Sequence, residues 1–442
     1  MRIQLSDHFT YKRLLRFVMS PVLMMIFTSL YSIVDGFFVS NYVGKSQFAA
    51  VNLIMPVCMA MGTIGMMIGT GGSAVVSQAL GEGKRERANR YFSMFICFAV
   101  ILSIILSVAG LVFIMPVSKA LGAEGKLLDY CVEYGRVLIV GLTAFVLQNI
   151  FQSFFVTAEK PGLSLKMSVA AGLTNALLDF LFIAVFGWGL AGAAGATVIG
   201  QFVGGIIPVI YFFKENDSLL RLTKFSFEWK VLLKALGNGS SEMVTNLSSS
   251  VVNILYNFQL MKFAGENGVA AYGIIMYVNF IFMAIFFGYA IGSAPVIGYH
   301  YGAGNKGELK NLFRKSIVLM SVTGILLTVL AEILTNPLVK VFASYDKELF
   351  DLTCRGFRIY SIAFIFMGIN VWGSSFFTAL GNGFLSALLS FMRTLVFQIL
   401  VILILPMILG IDGIWGAIAV AEFMAFILTS GIIRVFGRRV ME

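Results

Sequence analysis

Asp35, in YSIVDGFF (31–38), and Asp179, in TNALLDFLF (174–182), each interrupt a run that is otherwise almost wholly apolar. Each has a polar residue one turn earlier, Tyr31 before Asp35 and Asn175 before Asp179. The i,i+4 spacing puts each partner on its acid's helix face. An aspartate in the middle of a membrane span costs about 2.5–3.5 kcal/mol on insertion scales. It must therefore be protonated, paired or wetted. No Lys or Arg lies at a similar depth in the first half of the chain. Two acids without a base suit a site that holds a proton or a cation, and if close they would titrate as one unit. The competing reading is a neutral, hydrogen-bonded aspartate that fixes helix packing.

The elements that must carry these acids are membrane helices. The 442 residues are 59% hydrophobic and 12% charged, with a mean hydropathy of +0.90. A water-soluble fold could not bury so much apolar surface, whereas lipid accepts it. The apolar runs predict twelve helices, at about 14–40, 47–79, 87–115, 125–158, 162–186, 190–213, 229–263, 268–299, 307–335, 348–379, 384–409 and 412–435. The first basic cluster leads straight into a full-length span, so no cleavable signal is expected. The net charge of +10 does not indicate nucleic acid. Of the 32 Lys and Arg, 22 fall at the N-terminus, the C-terminus and alternate loops, and nine on the opposite side. This is the positive-inside pattern and places both termini in the cytoplasm. Four cysteines without CxxC spacing and two histidines build no zinc site.

The chain is written twice. A shift of 221 residues lays Ser20 on Ser241, Gly44 on Gly265, Met55 on Met276 and Gly71 on Gly292, and the loop glycines 81 and 83 on 302 and 304. An even number of spans per repeat gives halves of the same orientation. The expected organisation is an N-lobe (1–213), a linker (214–228) and a C-lobe (229–442). The fold class is an all-α integral membrane protein, with twelve transmembrane helices in two parallel six-helix bundles around a central cleft. That is a carrier architecture. No nucleophile or metal set suggests an enzyme, and no ATPase domain is present to drive transport.

The halves differ where chemistry is expected. Asp35 aligns with Tyr256, the positions of Asn175 and Asp179 are apolar in the second half, and Thr197 lies over Ile418. In the second half, Glu242 sits in the broken sequence GNGSSEMVTNLSSS, Arg393 within span 11 and Glu422 within span 12. A tight turn makes those last two spans neighbours, so Arg393 and Glu422 are expected to form a structural ion pair. Glu242 is then free to meet a cationic substrate, although pairing with Arg393 is its alternative. GWGLAG (187–192) matches a dinucleotide pattern but follows a membrane helix rather than a strand. GMMIG (65–69), GQFVG (200–204) and GYAIG (288–292) read as close helix packing within each bundle.

YSIVDGFFV, the loops GEGKRERA and GAGNKGEL, TAEKPGLS, and TNALLDFLF followed by GLAGAAGATVIGQ resemble the multidrug and toxic compound extrusion (MATE) family over nearly the whole chain. The resemblance implies two lobes around a V-shaped cleft and export of organic compounds in exchange for H⁺ or Na⁺. It implies a coupling site at Asp35, Asn175, Asp179 and Thr197, with Tyr31 beside it, which could hold Na⁺. It also implies Tyr134 among the polar N-lobe positions, and Gln148, Asn149 and Gln152 facing the cavity; with Glu242 these are the expected cleft residues. The reading is a secondary-active antiporter for cationic or amphipathic compounds in a bacterial cytoplasmic membrane, a monomer without a resident cofactor. The alternative is a flippase for a lipid-linked or polysaccharide precursor, for which a single deep Arg393 is a poor cavity lining.

Overall fold

The computed structural model describes residues 3–344 and 346–437. Arg2, Arg438 and Arg439, counted above among the basic residues, lie outside them. Of the described residues 89% are helical, and none is in a strand. Nine helices there are long and apolar enough to cross a membrane, and two bent pairs bring the number to eleven. The helix Trp229–Gly302 has 74 residues and a break at Gly265, so it holds two spans and makes twelve.

In chain order the spans are as follows. Span 1 is Tyr11–Phe38 with a π turn Val39–Val43. Span 2 is Lys45–Gly81 and span 3 Arg85–Ala120. Span 4 joins Gly125–Val140 to Leu142–Thr157 through a 54° bend. Span 5 is Pro161–Asp179 with a π turn Phe180–Val185, and span 6 is Gly189–Phe213. Spans 7 and 8 divide Trp229–Gly302 at Gly265. Span 9 is Lys306–Ala343, and span 10 joins Lys347–Ser361 to Phe364–Ala379 at 49°. Span 11 runs Gly383–Phe391, Met392–Val396 and Phe397–Leu409, with the middle piece a π turn. Span 12 is Ile411–Ile432 with the π turn Ile433–Gly437. Span 6 ends at Phe213 and span 7 starts at Trp229, with irregular backbone between.

Short polar signals set the ends. Thr10, Asn305, Asp346 and Asn382 cap helices by accepting a backbone N–H three residues on. Turns use glycine where φ is positive, and they repeat in register: Gly44 (116°) with Gly265 (58°), and Gly83 (76°) with Gly304 (67°). GWGLAG is one such turn, between spans 5 and 6, with Gly187 at 68° and Gly189 at 56°.

Contacts across the lobes are pseudo-symmetric. A Cβ at Gly81 would strike the Tyr299 carbonyl at 2.0 Å, and one at Gly302 the Gln78 carbonyl at 2.1 Å. These two contacts exchange under the 221-residue shift. So do Gly71 against Gly239 and Gly292 against Val18. Such self-matching contacts are what a two-fold relation generates, and parallel lobes follow from it. Aromatic clusters repeat too: Phe92–Phe151–Phe155 in one lobe, Phe313–Trp372–Phe376 in the other. GMMIG and GQFVG pack within the N-lobe, with Gly65 against Val146 and Gly200 against Ala171. GYAIG differs from the expectation: Gly288 and Gly292 lie against Val22 and Val18 of span 1, across the lobes, because span 8 borders the pseudo-axis. All these inter-lobe approaches lie at the end that carries the basic loops. Large side chains such as Met407 (84% exposed) and Phe384 (77%) face outward, as lipid contact requires.

Candidate functional site

Spans 1, 5 and 6 lie together in the N-lobe, and two glycines set their approach. A Cβ at Gly172 would lie 2.7 Å from the Phe27 ring and 2.9 Å from the Tyr31 ring. Without it, Tyr31 rests directly on span 5, one turn before Asn175. A Cβ at Gly200 would lie 2.9 Å from the Ala171 carbonyl and 3.0 Å from Asn175 Cβ. Span 6 thereby closes on span 5 one turn from Thr197. The GLAGAAGATVIGQ stretch carried this signal, although the glycines were read there as motif rather than as walls of a site.

Into this junction the spans deliver their polar groups. Asp179 is fully buried and Asn175 nearly so, while Asp35 and Thr197 are half-buried. Asp35 and Asp179 are within electrostatic reach of each other, with Asn175 beside both. Asn175 Nδ2 donates to Thr197 Oγ1 at 3.5 Å, and Thr197 Oγ1 donates to the Ala193 carbonyl at 3.1 Å. That chain occupies the amide's N–H and leaves Asn175 Oδ1 turned elsewhere. Asp35 Oδ1, Asn175 Oδ1 and both Asp179 oxygens are buried without a hydrogen-bond partner among the described residues. Four unmatched oxygens, three from carboxyl groups and one from an amide, form a donor set suited to a proton or a hard cation. Asp179 is the last α-helical residue before the π turn of span 5, and Asp35 lies four residues before that of span 1. An i→i+5 turn shifts the helix register, and such turns often mark functional positions.

Tyr31 stands within electrostatic reach of Asp35. Tyr134, 1% exposed, stands within reach of Asp35 and Asp179, and its hydroxyl donates to Met55 Sδ at 3.8 Å. It belongs to the N-lobe interior rather than to the cleft. Gln148 and Asn149 are buried against neighbouring helices. Gln148 fills the space over Gly204, and Asn149 Nδ2 donates to the Gly62 carbonyl at 3.5 Å. The small residues of spans 2 and 6 draw span 4 inward and turn these amides into helix contacts. Gln152 is half-buried, and its carbonyl accepts from Ser164 Oγ.

Two cavities lie nearby, one of which reaches the site. One, of about 100 Å³, lies between the lobes and is lined by Met59, Thr63, Met66 and Phe145 on one side and by Asn246 and Ser250 on the other. The second, of about 30 Å³, reaches Thr197 and Gln201 inside the N-lobe. Met59 and Phe145 line both and form the wall between them. The Phe145 ring lies over Gly62, where a Cβ would meet it at 2.0 Å.

In the C-lobe, Arg393 Nε donates to Glu422 Oε1 at 2.9 Å and to Oε2 at 3.1 Å. Asn370 Nδ2 donates to Glu422 Oε2 at 2.7 Å. The ion pair is buried, and the π turn Met392–Val396 carries the arginine. Glu242 is half-buried, one turn from Asn246, whose Nδ2 donates to the Glu242 carbonyl at 2.8 Å. Arg393 is near enough for its charge to act on Glu242, but among the described residues its ion pair is with Glu422.

A family model described as MatE matches residues 21–181 and 242–404, two segments whose starts are 221 apart. The multidrug export protein MepA of Staphylococcus haemolyticus is 21% identical over 96% of this chain and 93% of its own. That of Staphylococcus saprophyticus is 22% identical over 93% and 91%. Among solved structures, a MATE in complex with MaL6 superposes with a TM-score of 0.93 at 23% identity, covering 98% of each chain. An outward-facing MATE transporter of the MOP superfamily gives 0.90 at 24% identity, covering 98% of this chain and 97% of its own.

Proposed function

Because the chain belongs to the MatE family of multidrug efflux transporters, we propose that it is an antiporter. It exports cationic or amphipathic organic compounds and takes up H⁺ or Na⁺ at Asp35, Asp179, Asn175 and Thr197. The observation that carries this reading is the set of four partnerless buried oxygens in the N-lobe. Bare carboxylates there are costly, and a bound proton or Na⁺ offsets that cost. Ion occupancy thus changes the relative stability of two arrangements of the lobe, and a ligand shifts an equilibrium only by such a difference.

Residues of the chain divide the work. Asp35 and Asp179 exchange the cation, Asn175 and Thr197 offer neutral oxygens, and Gly172 and Gly200 hold the three spans at the required distance. Met59 and Phe145 separate the ion site from the inter-lobe cavity, so a change in span packing at Thr197 alters the wall that an organic compound meets. Met and aromatic walls suit varied amphipathic ligands. Glu242, near the Asn246 side of the cavity, attracts their positive charge. The 22 basic residues at the termini and alternate loops support a bacterial inner-membrane topology with both termini cytoplasmic.

The test is efflux of a fluorescent organic cation in proteoliposomes under separately imposed pH and Na⁺ gradients. One gradient should drive transport against concentration. If neither does, the antiport reading is wrong.

A further inference from the structure

We propose that residues 3–9 form a strap that ties the two lobes together at the basic-loop end, and that opening this end requires the strap to leave its anchor on span 9. This goes beyond the antiport reading and depends on neither the ion nor the exported compound.

The strap precedes span 1 and touches both lobes. On the N-lobe, Leu5 N–H donates to Glu159 Oε1 at 2.7 Å. On the C-lobe, Phe9 N–H donates to Glu308 Oε1 at 2.9 Å, and His8 Nδ1 lies 2.6 Å from Glu308 Oε2. Asn311 Nδ2 and Lys315 Nζ donate to the Phe9 carbonyl at 3.0 and 2.6 Å. Leu5 and Phe9 are completely buried, and the Phe9 ring stands 6.5 Å from that of buried His300. Backbone groups of an ordinary terminal segment bond to water. Here two carboxylates and two further side chains are spent on them.

Glu159 gives a second, independent sign. It is the one non-glycine residue with positive φ, 59°, among the described residues. In the second half the corresponding turn uses Gly381, at 77°. An L residue rarely adopts this conformation. Retaining a glutamate there places its carboxylate on the strap, which a glycine could not do.

The linker supplies the comparison. It leads into span 7 of the C-lobe yet lies on span 3 of the N-lobe: Arg221 N–H donates to Asn89 Oδ1 at 3.0 Å, and Thr223 N–H to Ser93 Oγ at 2.8 Å. Spans 3 and 9 are repeat equivalents. Each lobe's leading segment therefore docks on the third helix of the other lobe. The linker is covalently continuous with both lobes. The strap is covalently continuous with span 1 and holds the C-lobe through the Glu308 cluster. It crosses the seam where Gly71 meets Gly239 and Gly81 meets Tyr299, so those backbones cannot separate while it stays attached.

The experiment uses the full chain, with its four cysteines replaced, in lipid nanodiscs. Spin labels at Glu86→Cys and Lys310→Cys, both exposed in the first turns of spans 3 and 9, report the width of this end. Glu308→Gln, and separately Leu5→Pro, should move the distance distribution toward longer values. A distribution unchanged by both, in variants of normal thermal stability, would overturn the proposal. A second test protects against misfolding. His8→Cys and Glu308→Cys are joined by a short linker that dithiothreitol cleaves. Joining them should stop organic-cation transport in proteoliposomes and cleavage should restore it. Transport at the unjoined rate in the joined protein would also overturn it.

Discussion

The two lobes share a scaffold and differ in how they treat buried charge. In the C-lobe the deep acid, Glu422, meets a cation built into the chain, Arg393, and an amide, Asn370. In the N-lobe the aligned positions are Gln201 and Asn149, and Arg393 aligns with Gly172. The N-lobe acids sit elsewhere, at Asp35 and Asp179, and among the described residues Asp35 Oδ1 and both Asp179 oxygens have no hydrogen-bond partner. The C-lobe counterpart of Asp35 is Tyr256, whose hydroxyl donates to Gln398 Oε1 at 3.2 Å and whose ring stacks on Tyr272. The C-lobe thus carries its compensating charge permanently, whereas under the proposed coupling the N-lobe would borrow one. Only a borrowed cation could be exchanged across a membrane, so on that proposal the same fold yields one static lobe and one that responds to ions.

That comparison can be broken in graded ways. Asp35→Asn and Asp179→Asn keep size and remove the acid, and each should reduce gradient-driven efflux to background in proteoliposomes. Tyr256→Phe and Val401→Ala at the aligned C-lobe positions should leave most of it. Glu422→Gln should act on stability instead. Breaking a buried pair from one side costs about 3–5 kcal/mol, visible as earlier thermal unfolding, while the double change Arg393→Met with Glu422→Leu should recover much of that loss and keep ion coupling. Gly172→Ala forces a methyl against Phe27 and Tyr31, an overpacking of about 1–3 kcal/mol. It should weaken the apparent affinity for the coupling ion while the maximal rate changes less. Glu242→Gln should have the smallest effect, a loss of at most about tenfold, or 1.4 kcal/mol, in efflux of cations. Neutral compounds should be spared, and equal loss for both would remove Glu242 from substrate recognition.

Much of this was legible in the sequence because membrane helices announce themselves. Apolar runs and glycine turns mark the twelve spans, and the 221-residue register shows the repeat. Asp35 and Asp179 stood out because carboxylates are rare in such runs, and the tight turn at Gly410 made neighbours of Arg393 and Glu422. The bends in spans 4 and 10 and the π turns after Asp35 and Asp179 were not legible, since nothing in local composition distinguishes an i→i+5 turn. Spans 7 and 8 read as two apolar runs, 229–263 and 268–299, where the structure has one hydrogen-bonded helix of 74 residues, because Gly265 breaks φ/ψ without ending the hydrogen bonding. The helix contacts of Gln148 and Asn149 were not legible for another reason. Which way a polar side chain faces is set by the neighbouring helix, here by Gly62, Gly65 and Gly204, and one helix's sequence does not hold that information.

The most direct test of the central claim separates coupling from carriage. Substrate exchange at equal ion concentrations on both sides requires a working carrier but no ion gradient. Gradient-driven accumulation requires both. Measured side by side in proteoliposomes, Asp35→Asn and Asp179→Asn should retain exchange of an organic cation and lose accumulation, while the Arg393→Met, Glu422→Leu protein keeps both. Full accumulation by both aspartate variants would contradict the account and leave the two acids as packing residues.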